Sequence, residues 1–151
     1  MRRCWTLRIH HCGVESVFAT IADVERYPDF LPGLVESRII QRDPGRWQVE
    51  NAFGHGLLQS RFLSHAEFEP PTALTIRSSD GPFRQLVIQW RVRQEERSCL
   101  LSCDTTLDFR SPLLAVLAGV GAAEMEQRVI ASFSARFGIV SREADDGAWP
   151  E

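Results

Sequence analysis

The stretch SCLLSCDTTLDFRSPLLAVLAGVGAA, residues 98–123, decides the fold because it contains a strand, the start of a helix and the boundary between them. Apolar and polar residues alternate over residues 98–109, which is the pattern of a strand in an antiparallel sheet with one face in water. Ser111 and Pro112 then suit the N-cap and the first position of a helix. We predict that this helix extends to about Val140.

The rest of the chain predicts one strand, then two short helices, then further strands. Trp5–Ile9 alternates as a strand does, and helical spacing follows over Val14–Ala22. Asp23–Leu31 is expected to form a second short helix, which Pro32-Gly33 ends. Alternating segments separated by turn residues, such as Asp43-Pro44-Gly45 and Gly54-His55-Gly56, predict the later strands.

This order of elements predicts an α+β fold. We expect a curved antiparallel sheet of about seven strands with one apolar face, and the long C-terminal helix is the only large element available to cover it. A single domain is expected over residues 1–142. Residues 143–151 are mostly polar and are expected to fray.

The composition of the long helix predicts a cavity. Its inward positions, by helical spacing, are Ala118, Ala122, Met125, Val129 and Phe133. The first half of the helix consists largely of small residues, whereas the second half carries large ones. Small residues opposite a curved sheet leave volume unfilled, which favours an apolar cavity. Close packing of the helix on the sheet is the alternative, and the sequence leaves both open.

Composition and motifs argue against several functional classes. The net charge is −3, so the chain has no overall attraction to DNA. The four His and four Cys residues form none of the spacings of a metal site, and no nucleophile or phosphate-binding motif is present. Glu124 and Arg128 are spaced as a surface ion pair, and no two acids can be placed in one cleft. We therefore predict no catalytic residue, no metal and no cofactor.

The chain also lacks the patterns of membrane targeting. Its apolar runs are shorter than the roughly 20 residues of a spanning helix. Met1-Arg2-Arg3 is not followed by the apolar segment of a signal peptide. A cytoplasmic location is therefore expected.

Three motifs, taken together, carry a family resemblance. These are ADVERYPDFLPG at residues 22–33, DGPFRQL at residues 80–86 followed by Trp90, and DFRSP at residues 108–112. In this order they resemble the coenzyme Q-binding and ribosome-association-toxin branch of the START-like superfamily, often labelled polyketide cyclase/dehydrase. The resemblance implies the helix-grip fold of START and birch-pollen-allergen-like proteins, which agrees with the order of elements above.

The resemblance also implies an apolar tunnel for a ubiquinone-like or other lipid. It places Tyr27, Phe30 and Leu31 at the mouth and Trp90 on the inner face of the sheet. The chain has bulkier residues at 87–89 than bacterial relatives have, which is expected either to narrow the tunnel or to move its mouth. The residues that we predict to bind the ligand are Tyr27, Phe30, Leu31, Trp47, Phe62, Trp90, Ala118, Ala122, Met125 and Val129.

Three functions remain open at this stage. The preferred one is non-enzymatic binding of an apolar ligand such as ubiquinone. The first alternative is a ribosome-associated regulator or toxin that binds the large subunit, which the same family resemblance implies. The least favoured is a polyketide aromatase/cyclase, because the sequence offers no polar acid and base for the cavity.

Overall fold

The elements of the protein follow the predicted order in a computed structural model that describes residues 1–55, 58–138 and 140–143. A short 3-10 helix, Val24–Asp29, follows the first α-helix. The strands are β1 Arg2–His10, β2 Leu34–Asp43, β3 Arg46–His55, β4 Leu58–Glu69, β5 Ala73–Ser78, β6 Phe83–Glu95, β7 Ser98–Phe109 and β8 Val140–Glu143, and the α-helices are α1 Val14–Ala22 and α2 Pro112–Phe137.

All eight strands form one antiparallel sheet in the order β2-β3-β4-β5-β6-β7-β1-β8. Strands β2 to β7 pair with their neighbours along the chain. The N-terminal strand β1 closes onto β7, with Trp5 opposite Cys103. The curved sheet and the long C-terminal helix are those of the helix-grip fold, as predicted.

Helix α2 starts where the sequence predicts and ends earlier. The Ser111 side chain accepts a hydrogen bond from the Leu114 backbone N–H at 3.4 Å, and Pro112 occupies the first turn. The helix stops at Phe137 and not at Val140, because Gly138 has a φ of 84° and its N–H bonds back to the Ser134 carbonyl.

The eighth strand was not expected, and it forms from the residues just after α2. Val140 pairs with Ile9, and Glu143 pairs with Thr6 on the free edge of β1. The Arg8 Nε also donates to the Glu143 carboxylate at 2.7 Å. Glu143 is therefore the end of a strand and not the start of the frayed tail. The rest of that tail, and Gly56 of the expected Gly54-His55-Gly56 turn, lie outside the described residues.

The core joins the second half of α2 to the sheet through aromatic side chains. The ring of Phe133 lies 6.3 Å from Trp5, 6.0 Å from Trp90 and 5.8 Å from Phe30, measured between centroids. The four buried residues of α2 are Ala122, Glu126, Val129 and Phe133. Because none of them precedes residue 122, the first half of α2 does not pack closely on the sheet.

In the described part of the chain, no helix has both the length and the hydropathy needed to cross a bilayer. Helix α2 has 26 residues, but its second half carries charges.

The turn before β6 gives a test of the packing. Gly81 has a φ of 59°, and a Cβ there would lie 2.6 Å from the Arg61 carbonyl oxygen. We expect Gly81→Ala to lower the free energy of unfolding by about 2 kcal/mol, because it combines backbone strain with a clash against the main chain. Urea denaturation measures this difference.

Gly119 is the matched control, because a Cβ there meets nothing within 4 Å and the residue lies inside α2. Gly119→Ala is expected to raise the free energy of unfolding by about 0.5–1 kcal/mol through helix propensity. A Gly81→Ala protein as stable as the wild type would contradict the close approach of Gly81 to the Arg61 carbonyl oxygen.

Candidate functional site

A cavity of about 610 Å³ lies between the inner face of the sheet and helix α2. Its walls come from β1 to β7, from the 3-10 helix and from residues 114–129 of α2. This volume falls in the range of small-molecule sites, about 300–1,000 Å³. Of the two packings that the sequence left open, the structure has the one with a cavity.

The structure brings most of the predicted site residues to this cavity. The predicted residues that line it are Tyr27, Leu31, Phe62, Trp90, Ala118, Ala122, Met125 and Val129. That they contact a ligand remains a prediction. Of the bulkier segment 87–89, only Ile88 lines the cavity, because its two neighbours point to the opposite face of β6.

Trp47 is predicted to bind the ligand, but it does not line the cavity. It has the same parity as Val49 on β3, so it lies on the predicted face of the sheet. It is close to the β2–β3 turn, however, and outside the cavity wall. Its ring packs on Phe68 at 4.4 Å, with the Arg42 guanidinium 4.5 Å from its centroid.

Phe30 lies behind the cavity wall and not at its mouth. Its ring packs on Tyr27 at 5.0 Å and on Phe133 at 5.8 Å, and it lines a second, smaller cleft. This cleft has a volume of about 410 Å³ and is bordered by charged side chains, with an Arg26–Asp29 ion pair at 3.3 Å. Arg136 of α2 lines this cleft and not the large cavity.

Tyr27 forms part of the deep wall of the cavity, although the resemblance places it at the mouth. It is 4% exposed, and its hydroxyl donates to the Ile21 carbonyl at 2.5 Å. Burial raises the pKa of Tyr27 well above its usual value. The exposed lining residues are Met1, Gly33, Leu117, Gly121 and Met125, so the cavity opens beside the first half of α2 and the loop before β2.

Four phenylalanine rings line one wall of the cavity, and Phe62 is the one among them that the sequence predicts to bind the ligand. Phe83 lies 4.9 Å from Phe62, 6.0 Å from Phe53 and 5.1 Å from Phe109. Phe53 on β3 and Phe109 on β7 lie at inward positions of their strands, and this parity is the signal that could have found them. Apolar aromatic walls of this kind suit a ring or a hydrocarbon chain.

An ion pair in the cavity wall was also missed. Glu126 is 8% exposed, accepts a hydrogen bond from Arg3 Nε at 2.5 Å, and lies 3.4 Å from Arg142. The hydrogen bond from Arg3 lowers the pKa of Glu126 below its ordinary value, against the opposing effect of burial. Glu126 has helical spacing from Ala122 and Val129, and that spacing was the available signal.

The nearby acid Glu124 behaves as the sequence predicts. It forms an exposed ion pair with Arg128 at 2.8 Å. Helix α2 thus carries one carboxylate in water and one in the cavity wall. The two side chains differ in exposure because they point to different sides of the helix, and not because of their residue type.

Other polar residues in the wall are uncharged. Ser37, Asn51 and Ser64 lie on the inner face of β2, β3 and β4, and all three are buried. The Asn51 Nδ2 donates to Ser64 Oγ at 2.9 Å. Burial raises the pKa of the Cys103 thiol to about 12, so this side chain stays protonated at neutral pH. Over residues 1–55, 58–138 and 140–143, no group of His, Cys, Asp and Glu side chains is arranged to hold a metal ion.

The Glu126 ion pair predicts a pH-dependent contribution to stability. A carboxylate whose pKa is lowered on folding stabilises the protein above its ordinary pKa of 4.5, and this stabilisation is lost as the pH falls through the lowered value. We expect Glu126→Gln to lower the free energy of unfolding by about 1–3 kcal/mol at pH 7, with the difference shrinking below pH 4.5. Urea denaturation across this pH range measures it.

The matched control is Glu124→Gln on the exposed face of the same helix. It is expected to change the free energy of unfolding by less than about 0.5 kcal/mol at any pH, because exposed ion pairs contribute little. Equal effects of the two substitutions on the free energy of unfolding would contradict the stabilising role of the buried Glu126–Arg3 ion pair.

Comparison with known proteins gives one family and several relatives. A family model described as polyketide cyclase / dehydrase and lipid transport matches residues 13–134. The chain is 28% identical over 105 residues to the ribosome association toxin RatA of Pseudomonas aeruginosa, which covers 69% of the chain and 73% of that protein. It is 27% identical over 109 residues to the mitochondrial coenzyme Q-binding protein COQ10 of Dictyostelium discoideum, which covers 69% of the chain and 53% of that protein.

The fold of this chain resembles those of solved structures. A START superfamily protein from Mycobacterium smegmatis superposes with a TM-score of 0.73 at 16% identity, covering 90% of this chain and 96% of that one. At this level of identity the similarity establishes the fold, and ligands must be argued from the cavity itself.

Proposed function

The chain belongs to the polyketide cyclase/dehydrase and lipid transport family, and we propose that it binds an apolar, ubiquinone-like lipid in the cavity between the sheet and α2 without catalysing a reaction. A relative is named as a coenzyme Q-binding protein, which supports this ligand class. The observation that carries the proposal is the cavity of about 610 Å³ with aromatic and aliphatic walls.

Affinity in such a cavity comes from burial of apolar surface. Each buried CH₂ group contributes about 0.8 kcal/mol before the costs of association. A ligand with a ring and an isoprenoid chain would place both against apolar walls, such as those formed by Phe62, Phe83 and Trp90. The opening beside Leu117 and Met125 gives such a chain a way to enter.

The polar groups in the wall favour binding over catalysis. An aromatase/cyclase needs an acid and a base that can exchange protons with the ligand. The Glu126 carboxylate is ion-paired with a lowered pKa, and the Tyr27 hydroxyl is already bonded to a carbonyl. The Cys103 thiol has a pKa of about 12. These groups are therefore poorly suited to proton transfer at neutral pH.

Blocking the cavity tests the proposal. Ala118 lines the cavity, so Ala118→Phe fills part of it, whereas Ala115 lies on the exposed side of the same half of α2. We expect a short-chain ubiquinone to quench the fluorescence of Trp5 and Trp90, which also line the cavity. Ala118→Phe should weaken binding at least about 10-fold, and Ala115→Phe should change it less than about 2-fold.

Two further readouts complete this test. Affinity should rise by up to about fourfold for each CH₂ added to the ligand until the cavity is full. Native mass spectrometry of protein purified from its host should detect a bound lipid. Empty protein from the host, together with no quenching by any ubiquinone, would reject the proposal.

Association with the large ribosomal subunit is a second candidate, favoured by the similarity to proteins named ribosome association toxin. The net charge of −3 and the ion pairs made by Arg2, Arg38 and Arg61 reduce the charge available for RNA. Any such contact would depend on local patches of Arg side chains.

Co-sedimentation separates this candidate from lipid binding. Protein that binds the large subunit should pellet with it at about 50 mM salt and be released by about 500 mM, because contacts to phosphates weaken as salt rises. The Ala118→Phe protein should behave as the wild type does, since the substitution lies in the cavity. Absence from the pellet at low salt would reject ribosome association.

A further inference from the structure

Three buried polar side chains interrupt the apolar wall of the cavity on neighbouring strands. Ser37 on β2 lies opposite Asn51 on β3, and Asn51 lies opposite Phe62 on β4. Ser64, one inward position further along β4, completes the group. Nothing in the packing of the sheet requires polar residues here, because the neighbouring inward positions are apolar.

Hydrogen bonds fix the orientation of the Asn51 amide. Its Nδ2 lies 3.2 Å from the Val49 carbonyl oxygen, 3.4 Å from the Phe62 carbonyl oxygen and 2.9 Å from Ser64 Oγ. The two backbone carbonyls can only accept hydrogen bonds, so the NH₂ group has to face them. Ser64 Oγ can donate in turn to the Val49 carbonyl at 3.5 Å. The amide oxygen Oδ1 therefore points away from this network.

The Asn51 Oδ1 atom receives no hydrogen bond from the described part of the chain, although Asn51 is only 6% exposed and lines the cavity. Oδ1 is not among the described side-chain atoms that are both sealed off and unpaired, so it is accessible from the cavity, and its donor has to come from the cavity contents. A ligand that enters displaces water from this position. It loses affinity if it cannot supply the donor that water supplied.

We propose that Asn51 Oδ1 accepts a hydrogen bond from a ring hydroxyl of the bound ligand, so that the cavity selects a phenolic or quinol-type lipid over one whose ring oxygens are only acceptors. The inference rests on the proposed function, because it requires a ligand in this cavity. The aromatic wall supports a ring at this place: Phe62 lies directly opposite Asn51 on β4, and its ring contacts Phe53 at 5.9 Å and Phe83 at 4.9 Å. At Asn51 a hydroxyl-bearing quinol thus makes a hydrogen bond that the oxidised quinone, whose ring oxygens only accept, does not make.

A matched pair of ligands tests the selection without redox chemistry. A phenol with a nine-carbon chain in the para position carries the hydroxyl donor, and its methyl ether has the same ring and chain without that donor. Calorimetric titration of the wild-type protein should show the phenol binding about 10-fold more tightly than the ether.

Variants assign this preference to Asn51. Asn51→Leu keeps the size of the side chain and removes the acceptor, so the two ligands should bind within about 2-fold of each other. Phe83→Leu is the matched control in the apolar wall. It should weaken both ligands to the same extent and leave the 10-fold ratio in place. Asn51→Ala also removes the acceptor, should abolish the preference for the phenol, and serves if Asn51→Leu does not fold.

The outcomes separate this inference from the proposed function. Equal binding of phenol and ether by the wild type would overturn the inference and leave apolar binding intact. Binding of neither ligand would overturn both. An Asn51→Leu protein that keeps the preference for the phenol would overturn the role of Asn51, as would an Asn51→Ala protein with an unchanged ratio where Asn51→Leu does not fold.

Discussion

The packing of Phe133 between the sheet and the 3-10 helix region is the contact on which the rest of the structure depends. Its ring contacts Trp5 and Trp90 from the sheet and Phe30 from the segment after the 3-10 helix. Aromatic side chains bury more apolar area than any others, so this cluster anchors the second half of α2. The first half of the helix, built from small residues, extends from this anchor above the sheet. The cavity is therefore a consequence of where the large side chains of α2 are and where they are not.

A cavity of this kind lowers the stability of the fold, and the polar groups in its wall are held by hydrogen bonds that limit the loss. Apolar surface that faces empty or water-filled volume forgoes the contacts of a close-packed core. The one charged group of α2 that is buried, Glu126, is held by Arg3, which also ties the middle of the helix to β1. Asn51 is bonded through its NH₂ group only. The Glu126 carboxylate thus has its partner within the protein. The Asn51 Oδ1 atom, in contrast, points away from the groups that bond the NH₂ of the same amide.

Local pattern was sufficient for most of the fold. Residues 98–109 alternate at all positions but Leu100, Ser111 and Pro112 cap a helix, and both features depend only on neighbours in the chain. The long helix and the antiparallel sheet follow from them with little ambiguity. Strand β8 has four residues and no periodicity of its own. It exists because β1 offers an unpaired edge close to the end of α2, which the local sequence cannot indicate.

The candidate site, like the fold, is predictable from local pattern only in part. The sequence by itself determined which face of each strand and helix is apolar, and this placed Trp90, Phe62 and Ala122 at the cavity. It did not determine how far along a strand the helix reaches, so Trp47 shares the correct face and still lies outside. Nor did it determine that the acceptor of Asn51 and the carboxylate of Glu126 belong to one cavity, because they lie on elements 75 residues apart in the chain. Parity and helical spacing are properties of single elements, whereas the reach of α2 over the sheet is set by aromatic packing between elements, and only the tertiary structure decided it.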